Sequence, residues 1–390
     1  MKKIKSILVC GYFGYGSLGD EIILSGMKTS LLQKHPYWRI VILSHYPDVV
    51  KKLHSLPAVC DFPTGIKTFI SWALRGRFWD TLKEVMKADV FILGGGGFLS
   101  DLNWSNIPTW LMKVIYAKLF CLPVMSYALG VGPITKRSAK IMVRIIFNQF
   151  NLITVRDEES KRCLENAGVK RKIIVTVDPG VFVEPNINVQ LKNESGEPIT
   201  GASTKYKIGL APAAMFYSEK LWPGKTERYF ELIRDFATLS DFIIERLNAE
   251  VFLFQVSPNV DSDMCQKIQQ SMRNRAHILF PHYNHLEIAG VFAQMDMIVG
   301  MRFHSIVLSV AVGVPFVAII YHHKTKCFLE QINQLHRSVP LEFRLEDLVH
   351  NVVDVWDKKE EMRNELVAVM PRLKERAYIP SILASRFLND

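Results

Sequence analysis

At 390 residues the chain exceeds what one ordinary hydrophobic core organises, so two domains are expected. Hydrophobic residues make up 49% and charged residues 22%, the balance of a soluble globular protein, and no stretch reaches the ~20 apolar residues of a membrane span. The net charge of +10 points to anionic partners or a solvated basic surface, but no dense Lys/Arg block interleaved with aromatics is present, which sets nucleic acid aside.

Cys10, Cys60, Cys121, Cys163, Cys265 and Cys327 form no Cys-x-x-Cys pair and match no zinc framework, so no metal is expected. That usage suits a reducing compartment and a cytoplasmic protein. After the basic start Met1 to Lys5, the apolar run Ser6 to Cys10 is too short for a signal sequence and reads as a first, buried strand.

A glycine loop follows, Gly11 to Glu21, and then a helical pattern through Ile22, Ile23, Met27 and Leu31. Gly14-x-Gly16-x-x-Gly19 matches the dinucleotide fingerprint literally. The second strand, Ile40 to Leu43, ends in Ser44-His45, where a dinucleotide site wants an acid, and Asp20 and Glu21 would repel a pyrophosphate. The loop reads instead as a close backbone approach for a sugar or phosphorylated ligand, with Asp20 accepting from sugar hydroxyls. The plain alternative is a tight turn with an acidic cap. The aromatic and basic stretch Phe69 to Phe78, around Trp72, reads as core packing or as an amphipathic contact with a partner or membrane.

Val90 to Leu93 is a strand, and Gly94-Gly95-Gly96-Gly97 with Asp101 behind it forms a ligand-accessible backbone whose N–H groups suit an anion. A helix from Thr109, a strand Pro123 to Ala128, Gly130-Val131-Gly132-Pro133, a helix from Arg137 and a strand Leu152 to Val155 follow. Arg156, at that strand end, either meets a ligand or is salt-bridged to the acids beside it. Strand and helix alternate through Val177, the pattern of a doubly wound parallel sheet. This gives a first Rossmann-like domain over 1–183 and a polar, turn-rich linker over 184–205. A second alternating domain spans 206–344, and C-terminal helices over 345–390 are placed to pack back on the first.

In the second half, Met297 to Val299 is a strand, Gly300-Met301-Arg302-Phe303-His304 opens a helix, and Gly313-Val314-Pro315 turns into a strand Phe316 to Ile320. Tyr321-His322-His323-Lys324 lies at the end of that strand. Ligands of parallel sheets gather at carboxyl ends of strands beside helix N-termini. Arg302, His304 and Lys324 there suit an anionic substrate that must be protonated. The alternative is a buried structural Arg–His pair with a surface Lys. Two such domains with their strand-end loops facing a cleft would be GT-B-like.

The ordered set Gly11 to Glu21, Gly94 to Asp101, Gly130 to Pro133, Val155 to Ser160, Gly300 to His304 and Gly313 to Phe316 resembles the motif series of the polysaccharide pyruvyl transferase family. The resemblance spans roughly Ile7 to Leu335, and it is the order of the motifs that makes it specific. It implies a GT-B-like fold and transfer of a pyruvyl group from phosphoenolpyruvate to a sugar hydroxyl pair, giving a cyclic ketal and phosphate. It further implies that Arg156, Arg302 and Lys324 handle the donor and that Arg302 and His304 carry the catalysis. Phosphoenolpyruvate is then a co-substrate, and no cofactor or metal is implied. The acceptor is a saccharide or lipid-linked oligosaccharide, which would bring the protein to the inner face of the plasma membrane. One departure stands out: the family often carries Tyr-Asp-x-Lys where this chain has Tyr321-His322-His323-Lys324. A nucleotide-sugar glycosyltransferase and a non-catalytic glycan-binding relative are the two other readings.

Overall fold

The computed structural model describes residues 4–65, 70, 77–102, 106–199, 206–217 and 224–388. The chain forms two compact units, Met1–Phe182 with Arg372–Asp390, and Val183–Pro371.

The first unit contains β1 (Ser6–Cys10), β2 (Arg39–Ser44), β3 (Ala58–Cys60), β4 (Val90–Leu93), β5 (Gly96–Leu99), β6 (Val124–Ser126), β7 (Leu129–Val131), β8 (Ile153–Val155) and β9 (Ile173–Val175). A five-stranded parallel sheet runs in the order β3-β2-β1-β4-β6. Its strands are apolar at nearly every position because both faces are covered. Leu8, Val41, Leu43, Phe91 and Leu93 feed one core, while Ile7, Val9, Ile40, Ile42, Val90 and Ile92 feed another.

A single sheet is the expectation from sequence, yet this unit has two. A smaller parallel sheet runs β5-β7-β8-β9. The chain crosses into it twice, at Gly94-Gly95 and at Tyr127-Ala128, where Ala128 takes a left-handed φ of 44°. The run Pro123 to Ala128, read as one strand, is thus cut short at Ser126. The four-glycine run is likewise no loose cradle, because Gly96 and Gly97 are strand residues of β5. Hydrophobic periodicity reports burial and is blind to which sheet a strand joins.

The second unit has one six-stranded parallel sheet, made of β10 (Tyr206–Ala211), β11 (Ala249–Leu253), β12 (His277–Ile278), β13 (Met297–Gly300), β14 (Phe316–Ile320) and β15 (Ser338–Pro340). The order is β12-β11-β10-β13-β14-β15, so the winding reverses at β10, where open α/β sheets bind ligands. Helices Pro258–Ser271, Phe303–Ala311 and His323–Gln331 each begin just beyond the carboxyl end of a strand.

Residues 184–199, expected as a linker, are built into the second unit. Asn193 N–H donates to Glu197 O at 2.9 Å, Asn193 bridges Leu279, and Asn186 N–H donates to Leu286 O at 2.9 Å. Residues 200–205 lie outside the described residues. The C-terminal segment divides: helix Leu345–Asp357 belongs to the second unit, and the long helix Lys359–Phe387 counts with the first unit from Arg372 onward. There Ser381 Oγ meets the Tyr127 hydroxyl at 2.7 Å, and Ala384 and Leu388 join a core.

Candidate active site

The glycine loop of the first unit is a turn tied to its own helix. Gly14 and Gly16 take φ of 84° and 80°, a region where a side chain is strained. Gly14 N–H donates to Glu21 Oε1 at 2.7 Å, and the other oxygen of this buried carboxylate lies 2.7 Å from His54 Nε2. Glu21, an obstacle to phosphate in the sequence reading, is therefore the clasp of the turn. Helix Leu18–Leu32 includes Gly19 and Asp20 in its first turn, and Asp20 Oδ1 faces Gly96.

Arg156 extends from the end of β8 and is almost wholly buried, its side chain 6% exposed. Its guanidinium meets Asp157 at 3.2 Å and Asp178 at 3.4 Å. Gly130 and Gly97 border it: a Cβ on Gly130 would lie 2.6 Å from a guanidinium nitrogen, and one on Gly97 3.1 Å. Two of the glycine motifs are thus the walls of an arginine slot. Asp157 has a second task, capping helix Glu158–Asn166 through Ser160 N–H at 2.7 Å.

Asp101, read as part of a ligand loop, is engaged by backbone. Its Oδ2 accepts from Thr135 N–H and Lys136 N–H, each at 2.6 Å. Burial pushes this carboxyl up, but the Lys136 and Thr135 donors outweigh it and hold the pKa below the usual value. Asp101 fastens a turn. Gly95 is buried with Ile23 close by, and Gly96 adjoins Phe98 and Asp20.

In the second unit, Arg302, His304 and Lys324 come from neighbouring strand ends, β13 and β14. Arg302 stands just before helix Phe303–Ala311, and its side chain reaches back to Asp261, a fully buried carboxylate in the first turn of helix Pro258–Ser271. Nε lies 3.2 Å from Oδ2, and a second nitrogen donates to Oδ1. Asp261 is itself held by Ala214 N–H at 3.0 Å and Ser257 N–H at 2.8 Å. The Tyr321 hydroxyl lies close enough for Arg302 to act on its charge. Burial opposes the Arg302 cation, but Asp261 and Tyr321 more than compensate, so its pKa rises. Burial pushes the Tyr321 hydroxyl up, Arg302 only partly offsets this, and the phenol stays protonated.

His304 sits in the first turn of its helix with its ring 5.0 Å from Phe303. Lys324 Nζ lies over the same Phe303 ring, 5.7 Å from its centre. His322 caps helix His323–Gln331, its Nδ1 accepting from Lys324 N–H at 3.3 Å, and its ring lies 4.2 Å from that of His323, tilted by 37°. The place of the family's acid is therefore taken by a helix cap. Of the residues expected from the sequence to meet the donor, Arg302, His304 and Lys324 share one region of the second unit, and Arg156 belongs to the first.

Sequence reasoning missed Asp261 and gave Tyr321 no role. Asp261 lies 41 residues from Arg302, and its only signal is an acid following Ser257-Pro258 in a helix's first turn at a strand end. A second cluster, in the first unit, was also missed. Buried Lys113 pairs with buried Asp61, which also accepts from Phe62 N–H at 2.8 Å and lies 3.5 Å from His45. Among the described residues no group of three His, Cys, Asp or Glu side chains is placed to hold a metal ion.

Residues 18–323 match the family model described as polysaccharide pyruvyl transferase, and the chain belongs to that family. It is similar to the amylovoran biosynthesis protein AmsJ of Erwinia amylovora, with 25% identity over 92% of this chain and 94% of AmsJ. Among solved structures, the UDP-GlcNAc 2-epimerase from Neisseria meningitidis bound to UDP-GlcNAc aligns over 99% of this chain and 100% of its own, with TM-score 0.60 and 13% identity. A glycosyltransferase from Rickettsia africae aligns over 97% and 99%, with TM-score 0.58 and 13% identity. These likenesses are of fold: two Rossmann-like α/β domains, the GT-B-like class expected from the sequence. The family places the protein among transferases of polysaccharide biosynthesis with a saccharide acceptor.

Proposed function

We propose that the protein transfers a pyruvyl group from phosphoenolpyruvate to two hydroxyls of a saccharide, forming a cyclic ketal. The observation that carries this is the Asp261–Arg302–Tyr321 cluster, with His304 and Lys324 beside it, in a chain of the pyruvyl transferase family. Phosphoenolpyruvate offers a carboxylate and a phosphate. Arg302 offers a planar fork whose orientation is fixed by a buried partner, and Lys324 offers a point charge. The helices starting at Phe303 and His323 add two N-termini that favour anions. Arg156 is proposed to serve the donor as well.

In this reading His304, as imidazolium, protonates the methylene carbon and C2 becomes electrophilic. One sugar hydroxyl adds to C2 and loses its proton. The C2–O bond to phosphate breaks, phosphate leaves with the bridging oxygen, and the second hydroxyl closes the ring with loss of its proton. Positioned acids of this kind are worth about 10²–10⁴-fold. Asp20 and the loop backbone at Gly14, Gly16, Gly19, Gly95, Gly96 and Gly97 are proposed for the acceptor. An acceptor carried on a lipid would bring the reaction to the inner face of the plasma membrane.

The test is phosphate release from phosphoenolpyruvate in the presence of oligosaccharide acceptors, with His304→Ala beside the wild type. Phosphate release that depends on both substrates, and is lost in the folded variant, supports the reading. Transfer from a nucleotide sugar instead would replace the donor.

A further inference from the structure

From Leu102 to Arg156 the sequence contains no Asp or Glu, while Lys118, Lys136, Arg137, Lys140 and Arg144 all fall within it. Within this acid-free stretch, besides strands β6, β7 and β8, are two helices that pack together, Asn106–Leu119 and Arg137–Phe147. Each buries one face: Trp110, Leu111, Val114 and Ala117 on the first, Ala139, Val143 and Phe147 on the second. The other faces carry aliphatic side chains at helical spacing. Met112, Ile115 and Leu119 recur at three and four residues, as do Ile141 and Ile145 at four. Leu119 is 72% exposed and Ile145 53%.

Cations border these aliphatic residues. Lys136, Arg137 and Arg144 are exposed. At the far end, Lys118 Nζ donates to Asn151 Oδ1 at 3.0 Å and Arg171 Nε to Phe150 O at 3.0 Å, so both stems converge on one loop. Burial and neighbouring Arg171 together lower the Lys118 pKa, as expected where like charges crowd.

Exposed branched aliphatics ringed by Lys and Arg on a helix pair are the chemistry of a surface that lies in the headgroup region of an anionic bilayer. A second copy of the chain fits poorly, because a two-fold interface would set each basic border against itself. We propose that the paired helices Asn106–Leu119 and Arg137–Phe147 form a docking face for an anionic lipid membrane. The proposal extends the lipid-linked acceptor named above, but its test needs no turnover.

The experiment is flotation of the full chain with vesicles of phosphatidylglycerol and phosphatidylethanolamine, and with phosphatidylcholine vesicles alone. Three proteins are compared: wild type, Ile141→Glu with Ile145→Glu, and Lys136→Glu with Arg137→Glu and Lys140→Glu. The wild type is expected to float with anionic vesicles and much less with neutral ones. Each cation near such a surface is worth roughly fivefold, so the triple reversal should cost at least ~100-fold. The isoleucine variant should lose binding too, and both variants should keep the wild-type melting temperature. Absence of wild-type binding to anionic vesicles, or wild-type-like binding by both variants, overturns the proposal. So does a wild-type dimer that the isoleucine substitutions convert to monomer, since the face would then belong to a second copy.

Discussion

The guanidinium of Arg302 is anchored by Asp261, Nε 3.2 Å from Oδ2, and that carboxylate is fully buried with backbone donors of Ala214 and Ser257 on it. A cation at the surface would wander through many rotamers. This one is presented in a single orientation at the carboxyl end of β13. Asp261→Ala should therefore do two things. It should destabilise the second unit by about 3–5 kcal/mol, because a mostly buried cation and two backbone N–H groups lose their partner. It should also lower activity where the protein remains folded. Denaturant unfolding and phosphate release measure the two effects separately.

His304→Ala should reduce turnover by at least about 10²-fold while leaving the melting temperature within a few degrees of wild type. His304→Gln should behave the same way, because an amide fills space but cannot deliver a proton. The check is the pH profile of phosphate release: the limb assigned to the imidazolium should disappear in the variants. Near-normal turnover in either variant would remove His304 from the chemistry.

Gly130→Ala tests the arginine slot. The added methyl would stand 2.6 Å from an Arg156 nitrogen, so the guanidinium must shift off its two aspartates. A KM for phosphoenolpyruvate raised at least about tenfold, with kcat less affected, is expected if Arg156 serves the donor. Gly313→Ala is the control. A Cβ there meets nothing within 4 Å, and only the φ of 72° is strained, at a cost of about 1 kcal/mol.

The Asp61–Lys113 pair predicts acid sensitivity of the first unit. Burial pushes the Asp61 carboxyl up, but Lys113 and His45 outweigh it and hold its pKa below the usual ~3.9. A carboxylate depressed in the folded state gives stability that is present above the unfolded value and lost as pH falls through the folded one. Asp101 adds a change of the same sign. The melting temperature should therefore drop steeply below about pH 4, and less steeply in a variant with Asp61→Asn and Lys113→Met together. Lys113→Met alone leaves a buried carboxylate without its ion partner and should cost about 3–5 kcal/mol.

Much of this was legible because strands buried on both faces read as short apolar runs. Ile7 to Cys10, Val90 to Leu93 and Phe316 to Ile320 are strands where the sequence places them. The strand-end positions of Arg302, His304 and Lys324 were also legible, since each falls within a few residues of an apolar run; the roles given to them are proposals. Pairings across long sequence separations were not. Nothing local ties Asp261 to Arg302, Glu21 to His54 or Lys113 to Asp61; only the sheet order brings them together. The glycines misled in a definite way. Gly97 reads only as ligand-accessible backbone and Gly130 only as part of a glycine-rich strand end, and both also border a buried arginine of the same chain. Asp101 looked available and fastens a turn. Of the aromatic stretch Phe69 to Phe78, residues 69 and 71–76 lie outside the described residues, and the exposed aliphatics of helix Arg137–Phe147 hid in an ordinary amphipathic pattern.

The most direct measurement is thermal unfolding with phosphoenolpyruvate, beside UDP-sugars, for wild type and Arg302→Ala. A ligand that binds only the folded state stabilises it by about 2.7 kcal/mol at a hundredfold excess over Kd. Tm should rise with phosphoenolpyruvate, Arg302→Ala should abolish that rise, and UDP-sugars should give no comparable rise. A rise with a UDP-sugar alone, or a phosphoenolpyruvate shift untouched by Arg302→Ala, would contradict the proposed donor site.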